Sequence, residues 1–221
     1  MTEPHDRKHS RKSRVYGLVA AAGTAAVATA VSLAYYFGAF DSWTRERIQA
    51  DEVCRNLNDK QSAADIFNSA LPPSSHYDLR ERFSTDTGWR YRINCGVDDG
   101  DNRLLSLTAH TFTAPSQKVW EDELLPPLKG KATYFDAGVR GVSTPGVAGI
   151  YVPCYRSGRK DALPNTDLNV YALAVEPLQG SDKENRQQLI DLALDFAHTA
   201  HKQADCDRPS KLPDRVTAPD V

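Results

Sequence analysis

From Val15 to Phe40 the chain has no charged side chain, no proline and no Asn or Gln, over 26 consecutive residues. A helix of that length reaches about 39 Å, enough to cross a hydrocarbon core of roughly 30 Å with some tilt. The stretch is therefore expected to be a transmembrane helix, and the rest of the chain is read around it. Cysteine is also scarce. There are four, with no C-x-x-C pair and with long spacings, which argues against a structural zinc site. Familiar catalytic signatures are missing: no G-x-S-x-G and no H-E-x-x-H occurs. Gly138, Gly141, Gly146 and Gly149 form neither G-x-G-x-x-G nor a P-loop, because no Lys-Ser/Thr follows them, and they are read as turn glycines.

What is present is asymmetric. The whole chain carries a net charge of −2, but its first 14 residues are basic (Arg7, Lys8, Arg11, Lys12 and Arg14 against Glu3 and Asp6). From Asp41 onward, 22 basic face 27 acidic side chains. A short basic flank before an apolar span stays in the cytoplasm, so the large domain is expected outside the cell membrane, on a single-pass protein. A mildly acidic exported domain argues against nucleic-acid binding. A cleaved signal peptide is the rival reading, since Ser32-Leu33-Ala34 has the small-x-small pattern. Against it, the apolar run continues through Tyr35, Tyr36, Phe37 and Phe40, aromatics that with Trp43 suit the outer membrane–water interface.

The boundaries expected from this are a cytoplasmic tail over 1–14, a transmembrane helix over 15–40, an extracytoplasmic domain over 41–206 and a disordered tail over 207–221. Residues 41–206 have room for one domain or for two related lobes, about 41–130 and 131–206. Asp41–Leu57 has good helix formers and no Gly or Pro, so it reads as a helix leaving the bilayer. Asn58 or Asp59 caps a second helix that stops at Pro72-Pro73. A polar loop follows. Trp89, Tyr91, Ile93, Cys95 and Val97 then alternate with Arg90, Arg92 and Asn94, the period of a half-buried strand. LLSLTAHTF makes the returning strand, and Pro115 opens a short helix, PSQKVWEDELL. Strands are expected in ATYFDAG, GVAGIYVPCYR and LNVYALAVEP, with GVRGVSTPG and SGRKDALPNTD as loops. The last helix runs from about Lys183 to Ala204, with Leu189, Ala193, Phe196, Ala197, Ala200 and Ala204 as its apolar stripe. Asp191, Asp195, His198 and Lys202 are read as its wet face. The two hairpins look alike, each with a cysteine late in its first strand, which fits a weak duplication or two unrelated hairpins in one sheet.

Four cysteines, Cys54, Cys95, Cys154 and Cys206, in an exported domain imply disulfides, and four allow three connectivities. Cys54 and Cys206 fall on or at the ends of expected helices, whereas Cys95 and Cys154 fall on strands. The favoured pairing is Cys54–Cys95 and Cys154–Cys206, each tying a helix to the sheet.

Other chemistry is sparse. His198 and His201 near Asp195 and Asp205 have a metal-like spacing but lack a visible third ligand, and a solvated helix face accounts for them. Trp120-Glu121-Asp122-Glu123 offers carboxylates that point in different directions around a helix, hence a surface acidic turn. Ser62, Ser143 and Thr144 carry no motif that marks a nucleophile. Arg90 and Arg92 beside Arg80 and Arg82 are read as a basic patch for an anionic envelope polymer, and the solvent face of an antiparallel sheet accounts for Arg90 and Arg92 equally well. No catalytic residue and no cofactor is assigned.

The string CRNLNDKQSAADIFNSALPP, then GWRYRINCGV, then LLSLTAH, resembles a pattern in actinomycete, Streptomyces-like, membrane-anchored envelope proteins with an extracytoplasmic domain of unknown function. The resemblance implies an envelope location and disulfides, and it supplies no activity. The lipobox cysteine of lipoprotein members is absent here.

The expected fold class is α+β: one N-terminal transmembrane helix, then a disulfide-stabilised antiparallel sheet packed by helices. The expected function is a membrane-tethered, non-enzymatic binding module for a protein or polymer of the cell envelope. An exported hydrolase with a scattered site is the alternative.

Overall fold

The structure is a computed structural model that describes residues 45–85, 91–113, 116–138, 140–154 and 166–220. The expected transmembrane helix lies outside the described residues, and among them no helix is long and apolar enough to cross a membrane. Residues 46–220 fall in one compact unit.

Three helical and seven extended segments make up the described part of this unit. Helix α1 (Lys60–Ala70) is followed by β1 (Asp78–Thr85), β2 (Tyr91–Asp99) and β3 (Asn102–Thr113). A single turn, α2 (Gln117–Val119), runs on into a π-helical turn, Trp120–Leu124. Strands β4 (Thr133–Phe135), β5 (Arg140–Thr144), β6 (Val147–Pro153) and β7 (Thr166–Ala174) lead to α3 (Asp182–Gln203). All seven strands join one sheet in the order β1-β2-β3-β7-β6-β5-β4, and every neighbouring pair is antiparallel. The two hairpins therefore share a sheet, with β3 against β7 at its centre.

Alternation along the strands sorts side chains to two faces. Ile93 and Cys95 on β2, Leu107 and Ala109 on β3, Val170 on β7 and Ile150 on β6 lie fully buried on the inner face. Leu189, Ala193, Phe196 and Ala197 of α3 and Phe67 of α1 complete that core. The helix caps follow their residue types. Asp59 accepts from the Ser62 amide at the start of α1, and Ser181 and Glu184 form a capping box at the start of α3. The disulfides are Cys54–Cys95 and Cys154–Cys206, the favoured pairing. In the chain-entropy account, closing loops of 41 and 52 residues stabilises the fold by about 4 kcal/mol each.

Several expectations need correction. Residues 45–57 are irregular rather than helical, because their polar groups bond elsewhere. The Ile48 amide donates to Asn68 Oδ1, Asn68 Nδ2 donates back to the Ile48 carbonyl, and the Glu46 amide donates to the Ser74 carbonyl. Ile48, Val53, Cys54 and Leu57 are all buried, at a spacing no single helix face provides. Strand β1 occupies what was read as loop, as does β5. On β5, Gly141 is not a turn residue: the Phe135 ring fills the space its Cβ would need. Gly149 on β6 makes room for Leu125 in the same way.

The expected disordered tail is irregular but docked. Ala218 is buried, its amide donates to Gln187 Oε1, and Gln187 Nε2 donates to the Val216 carbonyl. That segment and residues 58–59 cover the side of α3 read as wet, so α3 is buried on most of its circumference.

Candidate functional site

The outer face of the sheet is covered unevenly. Over β5, β6 and β7 lies the α2 segment, anchored by Trp120, which is fully buried and donates its indole N–H to Asn169 Oδ1 at 2.8 Å. Trp120, Phe112, Leu125 and Val142 form a second, smaller core there. Tyr151 meets both Phe112 and Trp120 edge-on at centroid distances of 5.7 Å. The acidic run beside Trp120 is partly engaged. Glu121 pairs with Arg140 and accepts from the Tyr134 hydroxyl, and Asp122 pairs with Lys118.

The other half of that face belongs to β1, β2 and β3, and it is arginine-bearing. The register places Arg80 opposite Gly96, Arg82 opposite Asn94 and Ser84 opposite Arg92, so Arg80, Arg82 and Arg92 share one side of the sheet. All three are exposed. Arg103 crosses the space above Gly96. Arg80 pairs with Asp78, and Asp98, itself buried, sits between Arg80 and Arg103. No carboxylate among the described residues pairs with Arg82 or Arg92. Arg90 lies outside the described residues.

Toward the middle of the sheet the strip becomes uncharged. Arg92 stands opposite His110, His110 opposite Asn169, and Asn169 opposite Tyr151. A half-turn about the His110–Asn169 pair carries Arg92 onto Tyr151 and Cys95 onto Cys154, so the likeness of the two hairpins is in register. Burial, with the Arg92 charge adding to it, lowers the His110 pKa to about 4. The imidazole is therefore neutral at pH 7, and its buried Nδ1 has no hydrogen-bond partner. Nearby on β7, Asp167 accepts from the Tyr151 hydroxyl and the Cys154 amide. Burial raises its pKa in spite of both bonds.

The remaining candidates serve structure. His198 and His201 use their Nε2 atoms on the carbonyls of Pro213 and Arg208, at 3.1 and 2.8 Å. Asp195 accepts from the Asn58 and Asp59 amides, and burial nonetheless raises its pKa. No group of three potential metal ligands is found among the described residues. Ser143 is fully buried against Thr133, Thr144 caps the β5–β6 turn through the Gly146 and Val147 amides, and Ser62 donates its backbone amide to the α1 cap. No described residue supplies a hydroxyl in hydrogen-bond contact with His110.

The sequence pattern announced the arginines but not His110, whose place in the strip depends on the β3–β7 pairing. The only available signal was its position in phase with the polar side of β3.

The fold and this face together define a disulfide-tied α+β domain with a half-covered antiparallel sheet. Comparison with family models, with curated proteins and with solved structures found no match.

Proposed function

We propose that the chain is a membrane-tethered, extracytoplasmic, non-enzymatic binding module that takes an anionic polymer of the cell envelope on the β1–β3 side of its sheet. The observation that carries this reading is the exposed strip of Arg80, Arg82 and Arg92, two of which have no carboxylate partner among the described residues. Guanidinium groups on adjacent strands suit repeated phosphate or carboxylate groups, because each presents several N–H donors in a fixed plane. Two disulfides suit an oxidising compartment. The single-pass topology and the actinomycete-type envelope setting belong to the same proposal.

The test uses the full-length protein in detergent micelles, titrated with linear polyphosphate. Saturable binding that weakens as salt rises is expected, with affinity falling roughly tenfold or more in the double variant Arg82→Gln, Arg92→Gln. Absence of binding, or binding indifferent to that substitution, overturns the reading.

The exported-hydrolase alternative rests on one observation, the neutral His110 near the Asp167–Tyr151 pair. It requires a nucleophile or an activated water at His110. Hydrolysis of model esters or phosphoesters that His110→Asn abolishes would transfer the assignment to that reading.

A further inference from the structure

The sheet ends differently on its two sides. β4 closes one edge with only three residues, Thr133–Phe135. The Thr133 hydroxyl accepts from Arg186, and the Tyr134 hydroxyl donates to Glu121. The other edge is β1, eight residues without a proline, and its register with β2 runs unbroken. In an antiparallel pair, every second residue turns its amide and carbonyl away from the neighbouring strand. Along β1 these outward groups have no hydrogen-bond partner among the described residues. An open row of that length is a template for one more strand.

The side chains of β1 set what such a strand must carry. Arg80 and Arg82 lie on the outer face, while Leu79, Glu81 and Phe83 lie opposite Val97, Cys95 and Ile93 on the core side. Beside the edge on that side opens a cavity of about 500 Å³, lined by Arg55, Asn56, Glu81, Phe83 and Gln203. Its walls are tied together. The Arg55 amide donates to Glu81 at 3.3 Å, the Tyr91 hydroxyl to Gln203 Oε1 at 3.1 Å, and Gln203 Nε2 to Asn56 Oδ1. Phe83 is 56% exposed, and Tyr91 holds its ring edge-on at a centroid distance of 6.0 Å.

Charge selects the occupant. A second copy joined by a two-fold axis must set residues of the same face opposite each other. Its two fullest antiparallel registers place Glu81 against Glu81 with Arg80 against Arg82, or Arg82 against Arg82. Like charges directly opposite are destabilising, so β1 resists pairing with itself. A strand with carboxylates at alternate positions turns the same two arginines into charge-assisted partners.

We propose that β1 takes an extended acidic polypeptide segment as an added antiparallel strand, with carboxylates opposite Arg80 and Arg82 and an apolar side chain opposite Phe83. This rests on the reading of the arginine strip as the face that meets an anionic partner, and it makes that partner a polypeptide. Backbone bonds along the edge supply affinity for any extended chain. The arginines and the Phe83 ring, with the cavity beside it, supply selectivity.

Isothermal titration calorimetry of the full-length protein in detergent micelles tests this with the peptide acetyl-TVETEVT-amide. Two further probes carry N-methyl groups, one on both Glu amides, the other on both Val amides and the central Thr amide. Only one of these sets donates to β1, so one probe is expected to bind at least tenfold more weakly and the other about as well as the parent. The lysine peptide acetyl-TVKTKVT-amide is expected to lose about tenfold or more. Phe83→Ala is expected to weaken the parent severalfold at unchanged melting temperature, since the ring is exposed. Hydrogen exchange is expected to slow along residues 78–85 when the parent peptide binds. Equal effects of the two methylated probes, or unchanged exchange along β1, overturn the inference. Silence of the parent peptide beside intact polyphosphate binding overturns it and leaves the reading of the strip, whereas silence of both overturns both. Slowed exchange on raising protein concentration alone assigns the edge to a second copy and overturns it too.

Discussion

The two halves of the sheet share a plan and differ in what they wear outside. β2–β3 and β6–β7 exchange about the His110–Asn169 pair, and each half has its own disulfide, at Cys95 and Cys154. Their inner faces merge in one apolar core. Outside, the β5–β7 half is sealed by Trp120 and its neighbours, whereas the β1–β3 half leaves arginines in water. The difference is one of burial: one half adds a second apolar core to the fold, and the other leaves its outward side chains to solvent.

The contrast can be broken most forcefully on the sealed side. Trp120→Ala removes a fully buried indole and its N–H bond to Asn169 Oδ1, and a loss of roughly 4 kcal/mol in denaturant unfolding is expected. A loss below ~1 kcal/mol would show that the second core contributes little.

The disulfides come next. Replacing Cys54 and Cys95 with serine, or Cys154 and Cys206, is expected to cost about 4 kcal/mol in either half, because the closed loops are similar in length. Markedly unequal losses, read from the two unfolding midpoints, would break the equivalence of the halves.

Third is the residue at the junction. The unfolded chain protonates histidine near pH 6.5, whereas folded His110 takes a proton only near pH 4. Stability from this group is therefore complete above pH 6.5 and falls as pH drops toward 4, by up to about 3 kcal/mol. Asp167, Asp191 and Asp195 act in the opposite sense. Their raised values favour the protonated fold, so their effect on stability declines as pH rises through the acidic range. His110→Asn should flatten the profile between pH 6.5 and 4, and an unchanged slope in urea melts at pH 4, 5 and 6.5 would remove His110 as its source.

The smallest effect belongs to the open side. Arg82→Gln and Arg92→Gln should each alter stability by no more than ~0.5 kcal/mol, since both side chains are exposed. A larger change would mean that these arginines serve the fold rather than a ligand.

These assignments also show how far the sequence could be read. The alternation of Tyr91, Ile93, Cys95 and Val97 identified β2 and its buried side, and the apolar stripe of Leu189, Ala193 and Phe196 identified α3. Strand β1 escaped notice because an edge strand places Glu81 in phase with Leu79 and Phe83, and Phe83 itself is 56% exposed. β5 was obscured by Gly141, which is there for the Phe135 ring and not for a turn. Residues 45–57 have helical composition, but bonds to Asn68 and the disulfide to Cys95 override it. Of the arginine strip, only Arg92 followed from period-two spacing, and Arg80 and Arg82 join it through the pairing of β1 with β2.

The paired disulfides also give the domain a mechanical character. Tension applied between residue 45 and residue 220 would pass from Cys54 straight to Cys95 on β2, and from Cys154 to Cys206 beyond α3. Only 45–54, 95–154 and 206–220 could be drawn out, while the bridged stretches of 41 and 52 residues would be bypassed by the load. The bridges would cut the reachable extension to about half that of the unbridged chain, and the span drawn out would include β3, β5 and β6. Pulled from its N-terminal side, it would deliver force to the second strand of the sheet after only a brief slack.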